Sequence, residues 1–387
     1  MVRVRVLIVD DSVVVRRLLS DVLGAEPWIE IVGAAPNGRI ALQRIPQVNP
    51  DLVTLDVEMP EMDGLETLDG IRAQWPKLPV IMFSTLTERA ATTTLEALSR
   101  GATDYATKPQ SAGGIVGASA DIRAQLVTKI RALFPERAAS APKVDTTPSK
   151  APPVLVAPRV TTLAAMPAVK APPARRAVEP VTLLAIGGST GGPNALAALF
   201  ARLPPMPVPI VVTQHMPPLF TRLLAERLAA HSPHKVVEAA GGETLEAGKV
   251  YIAPGDYHLV LERKGTVVRT VLNQEPPENS CRPAVDPMFR SAVKIYGGGV
   301  LGVVLTGMGQ DGLRGCEHIR DAGGQVVVQD EATSVVWGMP GFVARSGLAD
   351  AVLPLDDIPA EIARRVTARS ASYGRVETGA LRAGESP

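Results

Sequence analysis

The chain reads as an α/β protein made of two doubly wound, mostly parallel sheets joined by a linker. Three observations predict this. Apolar, β-branched runs alternate with helical patterns on both sides of a proline-rich stretch. Carboxylates and a lysine follow the runs of the first half, and a serine, a histidine and an aspartate follow three runs of the second. Open α/β sheets gather their chemistry at the carboxyl ends of strands, which is where all of these residues fall.

At 387 residues the chain has room for two or three domains, each able to bury a core. Its 46% hydrophobic and 20% charged residues are ordinary soluble globular material. A formal net charge of +1 gives no reason to expect a nucleic-acid partner. Cys281 and Cys316, the two cysteines, stand at no metal-ligand spacing and fit a reducing cytoplasm rather than a disulfide scaffold. The N-terminus runs directly into a strand pattern, and no uncharged apolar stretch reaches the roughly 18 residues of a membrane span. A cytoplasmic protein without membrane insertion is expected.

In the first half the strand candidates are Val4–Val9, Ile29–Ala34, Leu52–Leu55, Val80–Phe83 and Asp104–Ala106. Helical patterns intervene at Ser12–Leu23, Gly38–Ile45, Gly64–Gln74, Ala90–Ser99 and Gly117–Phe134. Five βα units of this kind predict a flavodoxin-like (βα)5 parallel sheet. Asp10 and Asp11 then close the first strand, Asp56 the third and Ser84 the fourth, with Lys108 after the fifth. Carboxylates crowded on one edge repel one another unless a hard divalent cation sits among them, and the lysine suits a phosphoryl oxygen. Singly, Asp11-Ser12 would read as a helix cap and Lys108-Pro109 as a turn; their convergence favours a site.

Val9-Asp10-Asp11-Ser12, Leu55-Asp56-Val57-Glu58-Met59-Pro60, Met62-Asp63-Gly64, Ser84-Thr85 and Lys108-Pro109 together make this module similar to response-regulator receiver domains over its whole length. The resemblance implies that Asp56 accepts a phosphoryl group from a histidine kinase, with Mg²⁺ held by Asp10, Asp11 and Asp56. It also implies that Ser84 and Lys108 contact the phosphoryl group and that Tyr105 is an aromatic switch position.

Prolines cluster between Pro135 and Pro180 among alanine, threonine, lysine and arginine, a composition that cannot offset its ordering entropy. The expected division is a receiver over 1–135, a flexible Pro/Ala-rich linker over 136–180, a catalytic domain over 181–369 and a polar tail over 370–387.

Beyond the linker, the runs Val181–Ile186, Val208–Val212 and Val300–Leu305 read as buried parallel strands. Gly187-Gly188-Ser189-Thr190-Gly191 follows the first with the spacing of a nucleophile elbow, and Pro193 suits the first turn of a helix over Asn194–Arg202. A Gly-rich anion cradle is the equal alternative for that motif alone, although it lacks the Lys-Ser/Thr ending of a P-loop. His215 follows the second run and Asp311 the third. They supply a base and an orienter for a Ser189 nucleophile, in a chain order unlike that of α/β-hydrolases. His258 is the rival base, and Asp256 and Asp286 are rival orienters. His231 and His234 lie in a polar stretch and are expected to be solvated; His318 falls in a helix pattern.

Ile186–Pro193, Gln214-His215-Met216-Pro217, Tyr251–Gly255, Arg282-Pro283-Ala284-Val285-Asp286, Leu305–Gly312 and Trp337-Gly338-Met339-Pro340 give the segment from Leu183 to about Leu355 a resemblance to the catalytic domain of bacterial chemotaxis protein-glutamate methylesterases. Gly188, Ala284 and Pro287 depart slightly from that pattern. The resemblance implies a doubly wound, mostly parallel methylesterase domain that hydrolyses glutamate γ-methyl esters on the cytoplasmic helices of chemoreceptors and releases methanol, with glutamine deamidation as a related activity. It further implies that Ser189, His215 and Asp311 are catalytic, that the Met308 N–H helps hold the oxyanion and that Thr190 lies beside the nucleophile. The expected phosphodonor is the chemotaxis histidine kinase, and the expected state is a monomer. Mg²⁺ is expected in the receiver, and no cofactor for the esterase reaction.

Overall fold

The computed structural model describes residues 2–109, 114–139 and 179–367. In the first module β1 (Val4–Val9), β2 (Ile29–Ala35), β3 (Leu52–Asp56), β4 (Val80–Ser84) and β5 (Asp104–Thr107) form a parallel sheet in the order β2-β1-β3-β4-β5. The central β1, β3 and β4 are buried almost throughout, as unbroken apolar runs require when helices cover both faces. Helices α1 (Val13–Gly24), α2 (Gly38–Val48), α3 (Gly64–Gln74) and α4 (Glu88–Ser99) begin where Ser12, Asn37, Asp63 and Thr87 accept a first-turn backbone N–H. Each expected strand and helix of this module is present, with ends moved by a few residues.

The last helix departs most from expectation. α5 (Gly114–Ile122) passes through a π-helical turn at Arg123–Val127 into α6 (Thr128–Leu133). Within that wide turn Gln125 Oε1 accepts the N–H and hydroxyl of Thr107 at 2.9 and 3.0 Å, tying the helix to the end of β5. A short α7 (Pro135–Ala139) follows, where Ala138 packs against the receiver core and Arg137 reaches Asp51. Residues 136–139, assigned to the linker by composition, are thus part of the folded module. Of the remainder of the expected linker, Glu179 and Pro180 are described, while residues 140–178 and the tail lie outside the described residues.

The second module contains β6 (Leu183–Gly188), α8 (Gly192–Arg202), β7 (Ile210–Gln214), α9 (Phe220–His231), β8 (Lys235–Glu238) and β9 (Lys249–Ile252). The hairpin β10 (His258–Lys264) and β11 (Val267–Asn273) and the helix α10 (Val285–Tyr296) come next. The described residues close with β12 (Val300–Val304), α11 (Leu313–Asp321), β13 (Gln325–Gln329), α12 (Met339–Arg345), β14 (Ala351–Leu353) and α13 (Ile358–Thr367). Seven strands form one parallel sheet in the order β14-β13-β12-β6-β7-β9-β8. The chain builds outward from β6 through β7 on one side and through β12 on the other. The ends of β6 and β12 therefore border a topological switch point, where helices diverge and leave a crevice.

The two modules touch. Tyr105 of β5 stacks on Phe220 of α9, ring centroids 4.7 Å apart and planes within 9°. Asn194 Nδ2 and Arg227 Nη1 donate to the carbonyls of Leu98 and Leu95 at the end of α4, at 2.6 and 3.2 Å. Arg222 pairs with Glu88 at 2.7 Å.

Candidate active site

In the receiver, ligand oxygens of Asp10, Asp11 and Asp56 lie within 4.8 Å of one another. Lys108 Nζ stands 2.9 Å from Asp10 Oδ2 and 2.8 Å from Asp56 Oδ2. Burial, and then the Asp10 charge, push the Asp56 carboxyl up to about 6, against the pull of Lys108. Asp10 Oδ2 is buried, with the Lys108 ammonium as its partner. Three carboxylates with a single lysine among them fit a hard divalent cation, and a receiver domain of this composition implies Mg²⁺. Ser84 Oγ instead points to the carbonyls of Thr85 and Ala90, at 3.2 and 3.3 Å. Tyr105 is buried under Phe220.

In the second module Ser189 follows β6, His215 follows β7, and the Thr306–Asp311 segment follows β12, on three adjacent strands. The turn carrying Ser189 is pinned by Ser189 N–H to Thr306 O (3.1 Å) and Gly192 N–H to Ser189 O (2.8 Å), and His215 N–H reaches Gly188 O (3.1 Å). Gly191 holds φ at +77°, a conformation that costs glycine nothing, and a Cβ there would also meet Val335 at 2.6 Å. Gln214 Nε2 donates to Ser189 O at 2.8 Å, and Thr306 Oγ1 to Thr190 O at 2.9 Å.

His215 Nε2 lies 2.7 Å from Asp311 Oδ2. Asp311 Oδ2 also accepts the Val285 N–H, while its Oδ1 accepts from Asn279 Nδ2, Asp286 N–H and Gly312 N–H. Burial would raise this carboxyl, but the bonds from His215, Val285 and Asp286 hold it below the ordinary carboxylate value. Burial likewise favours a neutral His215, yet Asp311 and Cys281 outweigh it and push the imidazole up to about 10. With Nε2 committed to Asp311, Nδ1 is the nitrogen on the cleft side, where Cys281 Sγ stands 3.4 Å from it. A cleft of about 860 Å³ is lined by Ser189, Thr190, His215, Met308 and Asp311, and from the receiver side by Tyr105, Gln125 and Lys129.

The rivals occupy other roles. Both ring nitrogens of buried His258 are engaged, Nε2 with Pro276 O (3.2 Å) and Nδ1 accepting Ala284 N–H (3.2 Å). Asp256 is bound to Arg282. Asp286 stands behind Asp311, accepting from Gly315 N–H and Asn279 Nδ2, with burial and the Asp311 charge pushing it up to about 6. His231 and His318 cap carbonyls on exposed helix surfaces, but His234, expected to be solvated, is buried against Phe200. The polar letters around it hid a helix-to-strand corner that folds inward.

Sequence reading missed Asn279 and Cys281. They sit in a tight turn, with Asn279 and Ser280 both at positive φ (51° and 63°) and Glu278 bridged to Cys281. An asparagine opening such a turn was the available signal. Nothing local showed that the turn would fold onto Asp311.

A receiver joined to a parallel α/β domain with a hydroxyl, an imidazole and a carboxylate at its switch point defines a class: response regulators whose output domain is an enzyme. The response regulator receiver domain family matches residues 6–119, and the CheB methylesterase family matches residues 184–362. A protein-glutamate methylesterase/protein-glutamine glutaminase of Trichodesmium erythraeum is 52% identical over 367 residues, covering 95% of this chain and 100% of that one. One of the same name from Nocardioides sp. is 52% identical over 378 residues, 98% of this chain and 99% of its own. The crystal structure of the Thermotoga maritima CheB methylesterase catalytic domain is 45% identical, covering 47% of this chain and 96% of that one, with a TM-score of 0.46. The chain belongs to the CheB-type protein-glutamate methylesterases. Among the described residues no helix is long and apolar enough to cross a membrane.

Proposed function

We propose that this protein hydrolyses glutamate γ-methyl esters on chemoreceptor cytoplasmic helices, under control of phosphorylation at Asp56. The observation that carries the reading is the His215–Asp311 contact of 2.7 Å beside Ser189, at the ends of three adjacent parallel strands. Ser189 Oγ attacks the ester carbonyl as His215 Nδ1 takes its proton in the fraction of enzyme whose imidazole is neutral. Asp311 on Nε2 orients the ring and stabilises the imidazolium, which is why the resting site favours the protonated ring. The Met308 N–H, on a segment held close to Ser189 by Gly307, is the proposed oxyanion donor, a contribution typically of about 2.7–4 kcal/mol. Methanol leaves with the proton; His215 then activates water, which releases glutamate from Ser189. Ammonia leaving a glutamine side chain follows the same acyl chemistry, and the names of the relatives support that second activity.

Asp10, Asp11 and Asp56 would hold Mg²⁺, which offsets charge on the incoming phosphoryl group, with Lys108 on its oxygens. The phosphodonor is the chemotaxis histidine kinase. Because Tyr105, Gln125 and Lys129 line the cleft that holds Ser189, the unphosphorylated receiver restricts access and phosphorylation loosens it.

Methanol release from methylated receptor membranes tests the reaction. Ser189→Ala is expected to remove nearly all of it, His215→Ala to follow, and His258→Ala to retain turnover if it folds. Undiminished release by Ser189→Ala sinks the assignment. Acetyl phosphate with Mg²⁺ should label Asp56 and leave Asp56→Asn unlabelled; label persisting in the variant moves the acceptor elsewhere.

A further inference from the structure

Cys281 stands on the ring nitrogen that Asp311 leaves free: its Sγ is 3.4 Å from His215 Nδ1. Thiol, imidazole and carboxylate therefore make a second complete nucleophile–base–orienter series, sharing His215 and Asp311 with the serine series. The position is built. Cys281 N–H to Glu278 O (2.8 Å) and Glu278 N–H to Cys281 O (3.2 Å) close the turn, and Asn279 anchors it to both Asp286 and Asp311. Cys281 is half-buried and lines the same cleft as Ser189.

We propose that Cys281 is a modification site for soft electrophiles, peroxides above all, and that its oxidation switches the esterase off. The inference rests on the Ser189–His215–Asp311 reading for its effect on activity, though not for the thiol chemistry itself. With the Cys281 proton moved to His215 Nδ1, the thiolate sulfur attacks one oxygen of hydrogen peroxide. An S–O bond forms and the O–O bond breaks; sulfur is oxidised to sulfenic acid and peroxide is reduced to hydroxide, which takes the imidazolium proton and leaves as water. The added oxygen then occupies the side of the imidazole that Ser189 needs. A dithiol restores the thiol, forming its own disulfide and releasing the oxygen as water. A hydroxyl nucleophile resists this chemistry, so the site pairs an oxidation-resistant nucleophile with an oxidisable neighbour on one base.

Full-length protein provides the test, with iodoacetamide as the covalent probe and peptide mass mapping as the readout. Cys316 is fully buried, and its staying unlabelled reports an intact fold. Labelling of Cys281 is expected to fall at least tenfold in His215→Ala and to persist in Ser189→Ala. Hydrogen peroxide is expected to remove over nine-tenths of wild-type esterase activity, with recovery in dithiothreitol, which does not repair oxidised methionines such as Met216 and Met308 at the cleft. The treated-to-untreated activity ratio of Cys281→Ala should stay near one. Equal Cys281 labelling rates in wild type and His215→Ala, or equal peroxide losses in wild type and Cys281→Ala, overturn the proposal. Esterase activity surviving in Ser189→Ala while Cys281 labelling still depends on His215 would instead defeat the serine reading and leave the thiol site standing.

Discussion

Asp311 accepts five hydrogen bonds, three on Oδ1 and two on Oδ2, and only a carboxylate can do so. Asp311→Asn forces an amide donor against backbone N–H groups or against His215, whichever way it turns. It also removes a charge that holds the His215 proton. The expected result is a lower maximal rate, down by roughly 10⁴ against roughly 10⁶ for Ser189→Ala, with the acid limb of the pH–rate profile moved to lower pH. An unmoved limb would show that Asp311 does not set the protonation of His215. In the receiver the sign is opposite. Folded Asp56 holds its proton more tightly than an unfolded carboxylate, so its ionisation costs stability as pH rises from the ordinary carboxylate range through about 6. Thermal melts in EDTA at pH 7 should find Asp56→Asn more stable by roughly 1–3 kcal/mol, and Mg²⁺ should reverse the order.

Elements, rather than single side chains, decide whether these groups meet. Strand ends set the sites, and those ends were legible because an unbroken apolar run must stop where the buried sheet stops. The π-helical turn was not legible, since one added residue per turn leaves no mark in hydrophobic spacing. The loop after β9 carries a sharper constraint: a Cβ on Gly255 would lie 2.1 Å from Pro218 N and 2.3 Å from Pro217 C, in the segment just after His215. Gly255→Ala must therefore displace backbone and not merely a rotamer. A loss of about 1–3 kcal/mol or more is expected in urea denaturation, with reduced esterase activity in the surviving native protein. Wild-type stability in this variant would mean that the two loops are not in contact.

Across the whole molecule, a receiver face packs on the output domain through Tyr105–Phe220, the ends of α4 against α8 and α9, and the Arg222–Glu88 pair. Such intra-chain interfaces are modest, so a few kcal/mol from a new phosphoryl charge can shift them. Deleting residues 1–180 is expected to raise basal methanol release and abolish its response to phosphodonor. Arg222→Glu, which sets like charges face to face with Glu88 at an exposed position, should raise basal activity a few-fold, consistent with about 1 kcal/mol or less for such a pair. A folded 181–387 fragment no faster than the unphosphorylated full chain would rule out occlusion and require direct activation by the receiver.

The sequence by itself determined what local pattern can encode: two parallel α/β modules, their strand ends, and the residue types waiting at those ends. Ser189, His215 and Asp311 were readable because each ends or follows a buried run, as Asp10, Asp56 and Lys108 do in the receiver. Tertiary structure shows what surrounds each rival. A strand end favours His215 in the sequence, and the structure adds that His258 has both nitrogens engaged by backbone whereas His215 turns Nδ1 toward the cleft and Cys281. Likewise Asn279 and Cys281 precede Asp311 by about thirty residues and reach its site through a turn whose docking depends on packing. Strand order, ring orientation and the receiver's seat over the cleft are all contacts between residues distant in the chain, and periodicity carries no information about which distant partners will meet.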